Sequence, residues 1–280
     1  DFIGRLNGSF VRDGFVLDFP DGFEGKAPVE IQSVHGGGQS RHSWRNAARR
    51  VADAGYQGIS IDMRGHGDSD WAGDGAYGLE IMASDLRHVL RSLDRPAGLV
   101  GASRGGQVAL VAAAAEPART RLVLLADVGP HIDRQGVAPI RGFMERSMRG
   151  FDSVAAAAQA LDGLPGRQRP VDAGTLARSM RQGTDGKFYW RWDPRTALPG
   201  FLNADGETVL MEQAATAVRC PVLLVRAEHS DVLTDTDVQA FRHLTPQLRV
   251  TTAPDVGHMF TNDQNDAFAI PLLDLLGSTG

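Results

Sequence analysis

The segment Gly101-Ala102-Ser103-Arg104-Gly105-Gly106 offers a nucleophile in a setting that could activate it. The apolar pair Leu99-Val100 precedes it and a helical pattern follows, so the serine falls on a sharp strand-to-helix turn. Such a turn holds its central residue in strained backbone, and neighbours without side chains let strand and helix approach closely. Ser103 would then stand at a helix N-terminus, where the dipole favours developing negative charge. A glycine-rich turn with an incidental serine is the plainer alternative, and the partners decide between them.

A serine hydroxyl is a weak nucleophile and needs an adjacent base. Among eight histidines, His258 in Asp255-Val-Gly-His258-Met-Phe alone follows the last expected core strand, after a glycine that permits a turn. The base in turn needs an acid to fix its tautomer and stabilise the imidazolium. Asp231, reached from the strand Pro221–Arg226 through Ala227-Glu-His-Ser, is the first choice. Asp127, directly after the preceding core strand, ends at the same sheet edge and is the rival; Glu228 and Asp235 are remoter candidates. Attack on a carbonyl creates an oxyanion, which preorganised backbone N–H groups stabilise efficiently. The loop His35-Gly36-Gly37-Gly38 can supply one such donor, Gly37, and Arg104, after the nucleophile, the other. The same glycines could form a phosphate loop, but its Lys-Ser/Thr ending is missing.

A further segment, Asp62-Met-Arg-Gly-His-Gly-Asp-Ser-Asp70, gathers Asp62, His66, Asp68 and Asp70. Its spacing does not fit a calcium loop, and short polar residues with glycines also build stable turns. It is read as structural, so no metal site and no cofactor are expected.

These residues must be positioned by an alternation of short apolar runs and amphipathic stretches. Strands are expected at Ser9–Arg12, Phe15–Phe19, Pro28–Val34, Tyr56–Asp62, Ala97–Ala102, Arg121–Ala126, Pro221–Arg226 and Gln247–Thr252. Helices are expected at His42–Ala54, Leu79–Leu93, Gly105–Ala115, Thr236–Leu244 and Asn265–Leu276. Continuous apolar strands between helices imply parallel pairing with both faces covered. Asp13-Gly14 signals a hairpin and hence an antiparallel edge. The fold class is α/β, a mostly parallel eight-stranded sheet flanked by helices. Residues 1–130 and 218–280 form the core, and 131–217 break the rhythm with helical segments at Val137–Arg149, Val154–Leu161 and Ala173–Arg181. This insertion, which also holds the aromatic cluster Phe188-Tyr-Trp-Arg-Trp192, reads as a helical cap, or lid, of nearly balanced charge.

Composition narrows the class further. A net charge of −5 leaves no basic footprint for nucleic acid. No apolar run approaches the roughly 20 residues that span a membrane. The single cysteine, Cys220, excludes an internal disulfide and is expected to be a small buried apolar residue. No signal-like segment is present, so a cytoplasmic location is the default expectation.

The stretches His35–Trp44, Asp62–Trp71 and Gly101–Gly106, with Ser230-Asp231 and Gly257-His258, together resemble the α/β-hydrolase superfamily. The likeness extends over nearly the whole chain and is strongest to bacterial esterases and cofactor-free haloperoxidase-like members. It implies the chain order Ser103, Asp231, His258, with a serine nucleophile working on a small, largely apolar ester or lactone without a cofactor. Two departures stand out. The strand before the histidine–glycine loop carries Glu30, Gln32 and Ser33, and Arg104 occupies a position often apolar in such sequences. That cation could pair with a nearby carboxylate or bias the pocket towards a polar group. Perhydrolysis, proton-transfer lyase chemistry, and ligand binding by a vestigial triad stay open, as does self-association, because a fold does not fix its chemistry.

Overall fold

The computed structural model describes residues 4–6, 9–12, 15–18, 30–164, 170–197, 205–258 and 266–278. The Asp13-Gly14 turn lies outside them. In chain order, strands β1 (Gly4–Leu6), β2 (Ser9–Arg12), β3 (Phe15–Asp18) and β4 (Glu30–Val34) lead into helix α1 (Arg45–Asp53) and β5 (Gln57–Ile61). Then come α2 (Leu79–Arg91), β6 (Ala97–Ala102), α3 (Arg104–Ala115) and β7 (Thr120–Ala126). The inserted segment holds α4 (Arg134–Ser147), α5 (Val154–Asp162), α6 (Ala173–Leu176), β8 (Met180–Gln182), β9 (Phe188–Trp190) and α7 (Asp205–Ala217). The chain closes with β10 (Val222–His229), α8 (Asp235–Leu244), β11 (Leu248–Gly257) and α9 (Asp266–Ser278).

The sheet runs β1-β2-β3-β5-β4-β6-β7-β10-β11. The six strands from β5 to β11 are parallel, and β1 to β3 form an antiparallel edge. It therefore has nine strands rather than the expected eight, the extra one being the three-residue β1, too short to leave a periodic signal.

Strand alternation sorts the apolar residues into two layers. Leu122, Leu124 and Ala126 of β7 face one side with Ile31 and Val100, covered by α1 and α9. Trp44, just before α1, packs edge-on against Phe268 of α9 at 4.8 Å between centroids. Val123 and Leu125 face the other side with Ile59 and Leu99, beneath α2, α3, α7 and α8. Gln32 of β4, registered beside Ile59 and Leu99, is fully buried there, and neither amide atom has a hydrogen-bond partner among the described residues.

The insertion departs from the expected run of helices. Ala173–Arg181 is helical only to Leu176, with a further short turn to Ser179, because β8 and β9 pair as an antiparallel hairpin from Met180 to Trp190. Residues 205–217, read as part of the cap with no helix expected there, form α7, which packs on α3 and buries Met211, Ala214 and Ala215 in the core. Among the described residues, no helix is long and apolar enough to cross a membrane.

Candidate active site

Ser103 sits between β6 and α3 with φ 48° and ψ −120°, a conformation non-glycine residues rarely hold. Its carbonyl accepts the N–H groups of Gly106 (2.9 Å) and Gln107 (3.1 Å), which starts α3 directly behind the hydroxyl. The glycines are required by close packing. A Cβ on Gly101 would lie 2.4 Å from the Gly105 oxygen, and one on Gly105 would lie 2.3 Å from the Val34 oxygen.

Asp127 also takes a positive φ, 50°, at the end of β7. That twist turns its buried carboxylate across β10 towards the end of β11. Oδ1 accepts the Ala227 N–H (2.9 Å), and Oδ2 accepts Ser230 Oγ (2.8 Å) and His258 Nδ1 (2.9 Å). With Nδ1 donating to the carboxylate, Nε2 is left as the basic nitrogen. Ser103, Asp127, His258 and Gly37 line one cavity of about 30 Å³. Ser103 and His258 are not hydrogen-bonded to each other; in unliganded sites such contacts are often long and tighten only around substrate.

Asp231, the expected acid, does not bond to His258. Ser230 Oγ, already donating to Asp127, accepts the N–H groups of Val232 (3.3 Å) and Leu233 (3.0 Å) and so fixes the turn around Asp231. Its carbonyl abuts α4, where a Cβ on Gly136 would fall 1.6 Å from it. Held this way, Asp231 keeps Oδ1 buried and without a partner among the described residues, and burial raises its carboxyl from the ordinary carboxylate value. The rival, Asp127, is the carboxylate hydrogen-bonded to the imidazole.

The glycine loop is held by two buried imidazoles. His35 Nδ1 donates to the Gly36 oxygen (2.8 Å) and Nε2 accepts the Met63 N–H (3.0 Å). His66 Nδ1 donates to the Arg64 oxygen (3.1 Å) and Nε2 accepts the Gly38 N–H (3.2 Å). Both rings must be neutral to accept, and burial lowers their pKa values to about 4 and about 3. The N–H of Gly37, between these anchors, has no hydrogen-bond partner among the described residues. The sequence marks His66 only as part of a polar turn; its pairing with a loop 28 residues away leaves no local signal.

Arg104 does not reach the cavity. Its guanidinium is fully buried and grips Glu207 of α7 through two bonds of 2.6 and 2.8 Å. Glu207 Oε1 also accepts the Leu79 N–H (3.0 Å), which ties α7, α2 and the nucleophile helix together. Asp62 is likewise occupied, by the Arg41 backbone N–H (2.7 Å) and guanidinium, and Asp68 binds Arg41 (2.8 Å) and Arg191 (3.1 Å). Cys220 is half-buried rather than buried, with burial pushing its thiol up to about 11. Glu228, His229 and Asp255 meet at the exposed ends of β10 and β11, where Glu228 already accepts the Asp255 N–H (2.9 Å).

A strained serine at a strand–helix turn and a carboxylate-bound histidine, set at one end of a six-stranded parallel sheet, define a class of protein. Residues 34–270 match the model of the alpha/beta hydrolase family, and the chain belongs to that family. It is a hydrolase of that family with esterase relatives. It is 30% identical over 256 residues to Esterase Rv0045c of Mycobacterium tuberculosis, covering 86% of this chain and 80% of that one. The 3-hydroxybutyrate-oligomer hydrolase of Cupriavidus necator is 28% identical over 72% of this chain and 73% of its own. Among solved structures, E-2-(acetamidomethylene)succinate hydrolase superposes with a TM-score of 0.80 at 22% identity, covering 94% of this chain and 95% of that one. A structure of the mycobacterial esterase gives a TM-score of 0.75 at 26% identity over 96% and 91%.

Proposed function

We propose that the chain hydrolyses a carboxylic ester or lactone through Ser103, His258 and Asp127. The observation carrying this reading is the His258–Asp127 hydrogen bond beside a serine in nucleophile geometry within one cavity. Ser103 Oγ attacks the carbonyl carbon while His258 Nε2 takes its proton, and Asp127 stabilises the imidazolium without itself being protonated. The N–H groups of Gly37 and Arg104 hold the oxyanion. His258 returns the proton to the leaving alcohol as the carbon–oxygen bond breaks, leaving an acyl-serine. Water, deprotonated by His258, then attacks this ester, and the acid and free serine are released. The insertion from α4 to β9 serves as a cap over the cavity, and the esterase names of the relatives support the same chemistry.

The test is turnover of p-nitrophenyl acetate by Ser103→Ala. Activity should vanish while the thermal unfolding curve persists; turnover retained near the parent rate would refute the assignment.

A further inference from the structure

Beside the catalytic cavity lies a second, larger one of about 110 Å³. Gly37, Ile140 and Met144 line both, so the two adjoin across one turn of α4 and the glycine loop. Ile140, Phe143 and Met144 are spaced i, i+3, i+4 and present one apolar face to this chamber. Met144 leans over the loop: a Cβ on Gly38 would sit 3.5 Å from its Cε and 3.8 Å from Trp192 Nε1. The far walls come from Leu161 and Leu164, Leu176, and the indoles Trp190 and Trp192. Among the described residues lining either cavity there is no lysine or arginine; the titratable side chains are Asp127, Asp172, His42 and His258, and Gln39, Ser43 and Ser179 add neutral polar groups. No permanently charged cation among the described residues of these walls compensates a carboxylate.

We propose that this chamber seats an extended, uncharged, apolar arm of the substrate, admitted past Met144 and Ile140 while the scissile carbonyl sits at Ser103. This rests on Ser103 being the nucleophile, and it makes the substrate larger than a short-chain ester. Met144 sets the constriction, since an unbranched thioether can swing aside at little cost.

Two substrate series test it on the parent protein: p-nitrophenyl esters from acetate to octanoate, and acetate esters from methyl to octyl alcohol. In one series kcat/KM should rise by at least about tenfold, a fraction of the roughly fourfold expected for each fully buried methylene. A flat or falling profile in both would overturn the proposal. Leu161→Trp and Leu176→Trp fill the chamber from different elements, and each should lower the long-to-short ratio of kcat/KM; an unchanged ratio in both correctly folded variants would also overturn it. A binding arm separates this reading from the catalytic one. Tryptophan emission of Ser103→Ala should change on titration with 2-decanone, and decanoate should bind at least about tenfold more weakly because its charge must be desolvated. No response to the ketone, or equal affinity for the carboxylate, contradicts the proposal whatever the ester assays give. A ketone response without ester turnover in the parent would support the chamber and fault the hydrolytic reading alone.

Discussion

Asp127 accepts three hydrogen bonds through a backbone that glycine would adopt more readily, and that cost is retained at the residue facing His258. Asn at this position keeps the shape but lets the imidazole settle in the wrong tautomer, so Asp127→Asn should lower kcat by about 10⁴-fold. Asp231→Asn should lower it by less than about tenfold, because only through-space charge is lost. Initial rates on one ester decide, and the reverse ranking would return the acid role to Asp231. The proposed serine and histidine can be picked out in the sequence because each stands in a local frame: glycines around Ser103, and a last strand before His258. The proposed acid cannot. Asp127 and Asp231 both follow parallel strands at one edge, and the choice turns on the φ of residue 127 and a hydroxyl bond from Ser230, which no spacing reveals.

At the scale of elements, three features carry consequences for stability. Gln32 holds two unpaired polar atoms inside the layer beneath α2 and α3, so Gln32→Leu should stabilise the protein by about 1–3 kcal/mol in denaturant titrations. A loss of stability would mean that the amide is satisfied in solution. Glu207→Ala strands the buried Arg104 guanidinium and should cost about 3–5 kcal/mol. Combining Arg104→Met with Glu207→Leu removes both charges and should recover much of that loss; no recovery would point to packing rather than charge. The glycine loop adds a pH dependence. His35 and His66 stay neutral in the fold down to about 4 and about 3, whereas the unfolded chain takes up protons near 6.5. Below that pH the unfolded state binds more protons, so stability falls as pH drops through the window from 6.5 towards these values. Above it, neither ring contributes a slope. Urea unfolding between pH 7 and 5, above the ordinary pKa of an exposed carboxylate, should show the decline; a flat profile would contradict the neutral assignment. The strand runs, the parallel order and most helices follow from periodicity, since each buries a face that its own sequence declares. The β8–β9 hairpin does not, because Ala173–Arg181 has helix-forming residues and the strand state depends on Phe188–Trp190 pairing across a turn. The charge of Arg104 can be read, but its partner lies 103 residues away in a stretch where the sequence predicts no helix.

For the whole molecule, the α/β-hydrolase sheet brings residues 37, 103, 127 and 258 to one edge, and α4 lays one face over two adjoining cavities. The arrangement amounts to an esterase only if the serine oxygen becomes covalently acylated during turnover. Rapid acid quench of the protein with p-nitrophenyl acetate, followed by peptide mass spectrometry, measures this directly. An acetyl group should form on Ser103 and decay within the turnover time, and should be absent from His258→Ala. Steady hydrolysis with no acetylated Ser103 peptide at any quench time, or with the acetyl group transiently on another residue, would contradict it.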